Sequence, residues 1–412
     1  MLLSRAADQL GANRVVLALS IARLADAVGN SILFIIIPLY VAKLPAPWIS
    51  LPEPVLVGLL ISMFGLVNSV LQPVMGALTD RVSRRKPIIQ AGLFLMGAST
   101  VAFIFATRFT DLLLIRSVQG VGVALTIPAS LALMSAATQK RTRGGSMGIY
   151  TTMRMVGFAI GPLIGGFLHV HFGFNAAFIA GTTAIFVGMV LVHFWVKETP
   201  ARGSGEARPP FQLFDRELLT AGIIGLGLAT FVMASSFSMM TTLEKQFNAR
   251  LQQTAIGFSI AFSALMISRL FFQIPLGRFS DRIGRKPLII GGLILMAPAT
   301  ILLGVAGTTL QLTGVRLFQG LASAGIAAPA FALAADLSKA GGEGRQMSII
   351  TMGFGLGLAL GPLLAGVLVL AFFELPFLVG GLLSLVGAWI VYRYVPETVV
   401  REKKRAFELT EH

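Results

Sequence analysis

The chain has 412 residues, of which 55% are apolar and only 12% charged. A water-soluble domain uses roughly 25% charged residues to cover its surface, so half that share excludes an ordinary globular protein and points to a polytopic membrane protein. The formal charge of +15 suggests nucleic acid in a soluble chain but loop topology in a membrane chain, and the positions of the charges decide between them.

A bilayer-spanning helix needs about 20 mainly apolar residues. Twelve such runs are predicted, near 14–42, 55–79, 88–107, 111–138, 146–170, 176–196, 218–243, 255–277, 288–306, 311–336, 347–371 and 377–395. They are long and do not alternate, which favours helices over barrel strands. The first run carries Arg23 and Asp26 and has no small-residue cleavage site, so it is expected to be a retained span. With both termini placed in the cytoplasm, external loops hold only Lys43, Arg108, Lys245 and Arg250. Five Arg (23, 116, 154, 269 and 316) lie inside spans, and the other 24 basic residues fall in tails or internal loops. The excess charge is therefore topology, with no nucleic-acid partner expected. Residues 198–217, rich in Pro, Gly, Ser and both charge signs, form a cytoplasmic linker. It separates an N-terminal six-helix bundle, 1–197, from a C-terminal one, 218–412, with a short cytoplasmic tail.

The two bundles repeat each other. GALTDRVSRRKP at Gly76 pairs with GRFSDRIGRKP at Gly277, and RSVQGVGVALTIPA at Arg116 with RLFQGLASAGIAAPA at Arg316. GFAIGPLIGG at Gly157 pairs with GLALGPLLAG at Gly357, and WVKETP with YVPET, all at offsets of 199–201. With no cysteine and four scattered histidines, disulfide, thiolate and metal chemistry find no foothold. No GxxxxGK[ST] loop is present, and the glycine strings lie inside spans where a dinucleotide site has no strand to follow.

These motifs resemble those of the major facilitator superfamily over the whole chain. Gly76, Asp80, Arg81, Arg84 or Arg85 and Lys86 match the motif after span two, although Val82-Ser83-Arg84 replaces its glycine-containing turn. Gly277, Asp281, Arg282, Gly284, Arg285 and Lys286 match it more closely. Arg116, Gln119, Gly120 and Gly122 resemble the span-four motif. Gly148, Gly157, Gly161-Pro162 and Gly165-Gly166 fit the span-five pattern of the antiporter branch. Span one is similar to the twelve-helix drug/proton antiporters. The resemblance implies an all-α fold of twelve transmembrane helices in two pseudo-symmetric bundles. It also implies alternating access acting on a small molecule and protons. The minimal loops and short linker suggest a bacterial inner membrane, and the missing catalytic and cofactor motifs suggest no enzyme and no cofactor. One chain already holds a two-bundle pathway, so a working monomer is expected.

Candidate residues follow. Arg23, Asp26 and Asn30 share one helix face. Burial favours the neutral acid and a nearby Arg favours the charged one, so Asp26 is either the carboxyl that takes up the coupling proton or half of a permanent pair with Arg23. Arg116 and Arg316 either bind an anionic group, tune a carboxyl or act as hydrogen-bond hubs; the resemblance implies that Arg116 assists proton coupling. A conformational latch is expected from Gly76, Asp80, Arg81, Lys86, Gly277, Asp281, Arg282, Arg285 and Asp336, against simple anchoring. Gly157, Gly161, Pro162, Gly361 and Pro362 are expected to permit close packing and a helix bend. In this fold spans one, four, seven and ten line the cavity, so Arg23, Asn30, Phe34, Gln119, Ser235, Ser238, Gln319 and Ser323 are substrate candidates. The expected function is proton-coupled export of small lipophilic or amphipathic compounds. The alternatives are another substrate class moved by symport, uniport or exchange, and a non-transporting receptor or scaffold.

Overall fold

The computed structural model describes residues 13–47, 49–82, 84–138, 142–197, 220–337 and 343–398. The proposed linker, Lys140, Arg141 and the basic tail lie outside these residues. Twelve α-helices and no strand fill the described residues: α1 Arg14–Val41, α2 Glu53–Arg81, α3 Lys86–Ala102, α4 Phe109–Ala136, α5 Arg143–Trp195 and α6 Ala221–Thr242. Then come α7 Glu244–Leu251, α8 Ala255–Ile283, α9 Arg285–Val305, α10 Thr309–Leu337, α11 Glu343–Leu368 and α12 Leu375–Tyr394.

All but α7 are long and apolar enough to cross a membrane. At 1.5 Å per residue, α5 would be about 80 Å long, far more than the ~30 Å hydrocarbon core. It is in fact two spans. Gly173, at φ 82° and ψ −176°, breaks the helix between them, a conformation that side chains with a Cβ avoid. Twelve spans result. The short α7 corrects the sequence expectation of an external loop after span seven: residues Glu244–Leu251 form a helix beyond the membrane run. Large apolar side chains point outward along the spans, with Phe271 74% and Leu310 82% exposed, as a surface facing hydrocarbon allows.

Local sequence sets the helix ends. Asn13 accepts the Val16 amide at 2.9 Å and Thr220 the Ile223 amide at 3.3 Å, so both caps satisfy amides that the first turn leaves unpaired. Asp111 accepts the Thr107 and Arg108 amides at the start of α4, and Gln311 accepts that of Gly307 before α10. Between α8 and α9 a single residue turns the chain: Gly284, at φ 110°. This conformation is the physical content of the glycine that the first repeat lacks.

Contact clustering separates two units. The first contains 1–51, 63–213 and 254–259; the second contains 52–62, 214–253 and 260–412. In the first, α1 packs along both halves of α5, meeting Gly157 and Gly161 before the break and Gly181 and Ile185 after it, and α3 packs on α4 and on α5. In the second, α6 packs on α11, and α9 packs on α10 and α12. The start of α2 belongs to the second unit, where Ser62 Oγ donates to Ala359 O and the Pro54 carbonyl lies against Gly366. The start of α8 belongs to the first, where the Ala255 carbonyl and Ser259 hydroxyl lie against Gly166.

Candidate functional site

In the first unit, α1 carries a buried polar group. Asp26 is 1% exposed, Arg23 6% and Asn30 7%. An Arg23 Nη1–H donates to Asp26 Oδ2, and the Asn30 amide donates to Asp26 Oδ1 at 2.7 Å. Helical spacing of three and four residues makes this meeting possible. The Arg23 guanidinium lies 5.8 Å from the Tyr150 ring centre. Arg154, over the Phe158 ring at 5.5 Å, adds a second positive charge to the field at Asp26. Phe34, one turn past Asn30, meets Phe158 at 5.7 Å between centroids. The structure thus assembles Arg23, Asp26, Asn30 and Phe34 as one site. Tyr150 and Arg154 join it from α5, and α1 periodicity alone gave no signal for them.

Among the described hydrogen bonds Arg116 makes none to Asp26. Its Nη1 donates to Gln119 Oε1 at 3.1 Å, and Gln119 donates to Thr100 Oγ1 at 2.9 Å. The guanidinium sits 4.9 Å from the Phe64 ring centre, while Nε and Nη2 have no acceptor. The second unit repeats this hub 200 residues later. Arg316 donates to Gln319 at 2.7 Å, Gln319 donates to Thr300 at 3.2 Å, and Phe237 and Phe262 flank the guanidinium at 5.5 and 5.3 Å. Arg316 Nε and Nη2 are likewise unpartnered. A buried Arg keeps its proton, so each hub is a fixed positive charge with spare donors.

The predicted serines have other work in this conformation. Ser235 and Ser238 both donate to the Gly357 carbonyl, at 3.4 and 3.2 Å, and Ser323 is buried. The predicted glycines are sites of helix contact. A Cβ at Gly157 would lie 2.8 Å from Leu24 O, and one at Gly161 2.0 Å from Ser31 Oγ. At Gly361 it would lie 2.4 Å from Ser238 Oγ. The backbone stays helical through Pro162 and Pro362, and the break in α5 falls at Gly173.

The basic motif forms a second cluster. In the second unit, Arg285 donates to Asp336, to Asp281 at 3.3 Å and to the Ala332 carbonyl at 2.7 Å. Thr398 donates to Asp336 at 2.7 Å. Lys286 donates to Tyr392 O at 2.7 Å, and its amide donates to Glu397 at 2.8 Å. In the first unit Arg85, not Arg84, takes the Arg285 position and donates to Ala132 O at 3.1 Å. Lys86 reaches His193 O and Val196 O. Arg81 and Arg282 are exposed, Gly76 and Gly277 leave room for a Cβ, and the Asp80 side chain lies outside the described ones.

The family model of the Major Facilitator Superfamily matches residues 19–271 and 223–411. The chain belongs to this superfamily. It is a multi-pass membrane transporter of small molecules, not an enzyme. It is 25% identical over 315 residues to the multi-drug resistance efflux pump PmrA of Streptococcus pneumoniae, covering 74% of this chain and 77% of that one. It is also 25% identical over 327 residues to the human synaptic vesicular amine transporter, covering 77% of this chain and 62% of that one. Its fold matches a D-xylose–proton symporter with a TM-score of 0.76 at 15% identity, covering 93% and 98% of the two chains.

Proposed function

We propose that this transporter exports small lipophilic or amphipathic compounds in exchange for protons, with Asp26 as the coupling carboxyl. The observation that carries this reading is the placing of one acid, 1% exposed, inside the first span between Arg23 and Asn30. Ionisable groups at membrane depth are costly, and they mark ion or substrate pathways. When water reaches the site, Asp26 loses or gains a proton according to the pH of that side. When it closes, Arg23 and Asn30 stabilise the charged form. The kinship with a multidrug pump supports the compound class. We further propose that two bundles, residues 1–197 and 218–412, alternate access by rocking, with both termini cytoplasmic in a bacterial inner membrane, and that the Arg285 cluster latches one state.

The test uses proteoliposomes of the full chain with a fluorescent lipophilic cation as cargo. A pH gradient drives flux in the wild type. Asp26→Asn abolishes this flux while leaving pH-independent counterflow, which also reports that the variant is folded. Undiminished proton-driven flux in the variant overturns the assignment. A second reading is an anionic substrate, favoured by the unmet donors on Arg116 and Arg316. It predicts competition by organic anions and none by cations in the same vesicles.

A further inference from the structure

One buried acid is left unused by that reading. Glu244 opens α7 at the end of α6, in the second unit. α6 begins beside Pro396 and Leu337, which approach Gly222, at the end of the unit that carries the Arg285 cluster. Twenty-two residues of helix place Glu244 about 33 Å away, at the opposite end. Its side chain is 0% exposed, and neither carboxyl oxygen has a well-formed hydrogen bond.

Other side chains on and just after this short helix show the same shortage of donors. Gln246 Oε1 and Asn248 Oδ1 are also buried without a partner, as is Gln253 Nε2. Along α7 four side-chain acceptor atoms, two of them on Glu244, are unmet. An ionised carboxylate only accepts, so it worsens the imbalance. A protonated carboxyl supplies an O–H, and Asn248, one helical turn on, is placed to accept it. The charged groups on the neighbouring elements are turned to each other. Lys245 holds Glu53 of α2 at 2.7 Å, and Arg250 holds Glu374, just before α12, at 2.6 Å. Arg316 of α10 is bound to Gln319. Phe247, packed on Phe373 and Phe377, keeps the apolar side of the turn closed.

We propose that Glu244 is a second proton-binding site, filled while α7 is packed against α12 and emptied to water when that end of the unit opens. Resting on the proton-coupled reading above, it places a proton at the end of the second unit opposite the Arg285 cluster. Burial acts in the same direction: it pushes the Glu244 carboxyl well above the usual carboxylate range, and outweighs the opposing effect of the Asn248 side chain.

The test is infrared titration of the purified full chain between about pH 5 and pH 9, the range in which buried glutamates lose their protons. The wild type is expected to show a protonated-carboxyl band at neutral pH. Glu244→Gln, which copies the protonated shape, is expected to remove this component while Asp26→Asn retains it. Glu244→Asp keeps a titrating band at a shifted midpoint. A neutral-pH band unchanged in Glu244→Gln overturns the proposal. In proteoliposomes, Glu244→Gln is expected to flatten the dependence of flux on the pH at the α7 side at least tenfold. Unchanged dependence also overturns it. Wild-type flux indifferent to any pH gradient defeats the coupling reading instead, and the infrared result then stands as evidence for the site alone.

Discussion

Adding one methyl group at Gly357 tests how the second unit is held together. A Cβ there lies 2.3 Å from Phe231 O and 2.8 Å from the Ala234 Cβ, and the first of these is backbone that no rotamer change can move. Ordinary contact begins near 3.4 Å, so α6 and α11 must separate by about 1 Å. Overpacking of this kind costs roughly 1–3 kcal/mol. The shift also lengthens the Ser235 and Ser238 bonds to Gly357 O beyond hydrogen-bond range, at about 0.6 kcal/mol each in a membrane bundle. The helix-propensity gain of Ala over Gly returns about 1 kcal/mol, leaving Gly357→Ala about 1–3 kcal/mol less stable. Two controls share that gain without the clash. Gly148 has no atom within 4 Å of a built Cβ, and Gly277 has only Ala328 Cβ at 3.8 Å. Thermal unfolding in detergent should place Gly357→Ala roughly 4–16 °C below both controls, taking 2–4 °C per kcal/mol for a unit of this size and a spread of about 2–4 kcal/mol. If all three variants melt together, close helix contact at these glycines is not what stabilises the unit.

Gln319→Leu strips Arg316 of its shortest hydrogen bond. Thermal melts should show a loss of about 1–3 kcal/mol, the cost of an unmet buried donor, with Gln119→Leu giving a similar loss in the first unit. Arg285→Met removes the donor of three hydrogen bonds at once. Because Asp281 is water-exposed, the equilibrium cost should stay near 1–2 kcal/mol, and salt titration of the melt should flatten in the variant. The Arg250 hydrogen bond holds Glu374 below the usual carboxylate range. Its stabilisation is therefore complete above the unfolded value and lost as pH falls through the lower folded one. Arg250→Gln should remove part of the acid limb of stability against pH. Glu244 has the opposite sign: its folded state holds the proton more tightly, so stability falls as pH rises above the unfolded value, and Glu244→Gln should remove that alkaline loss.

The spans were legible because hydrocarbon imposes length and composition on each of them independently. The Arg116 and Arg316 hubs were legible as motifs, and their shared geometry follows from an identical Arg-x-x-Gln spacing facing Thr100 and Thr300. The Arg23–Asp26–Asn30 cluster was legible because it is local to one helix. Tyr150 and Arg154 were not, since they reach the site from another helix and nothing in α1 specifies which face of α5 it meets. Glu244 was hidden for a different reason: beside Lys245 it reads as loop charge, and only the packing of Phe247 turns its carboxyl inward. Ser235 and Ser238 read as cavity polarity, yet a hydroxyl one turn from a close helix crossing bonds the nearest free carbonyl first.

Helix contacts also reveal an equivalence that sequence alignment of the halves did not. Around Gly157 lie Leu24 O, Ala27 Cβ and Val28 N; around Gly357 lie Phe231 O, Ala234 Cβ and Ser235 N. Ser31 meets Gly161 as Ser238 meets Gly361. α1 and α6 are therefore the same element at an offset of 207, while Gly76 and Gly277 in the next element stand at 201, so the connection between the two elements is six residues shorter in the second copy. In that register Thr230 stands for Arg23, Met233 for Asp26 and Phe237 for Asn30, while Glu244 stands for Ile37. The packing surfaces and the Arg–Gln–Thr hubs are duplicated, but neither acid has a counterpart. A scaffold that packs by glycine contact needs both copies to form both units. A carboxyl that binds a proton needs only one low-dielectric setting, and a second acid at the same level would add a like charge to it. Duplication of the scaffold with single copies of the acids fits the two proposed proton sites, which stand at different positions along the equivalent elements.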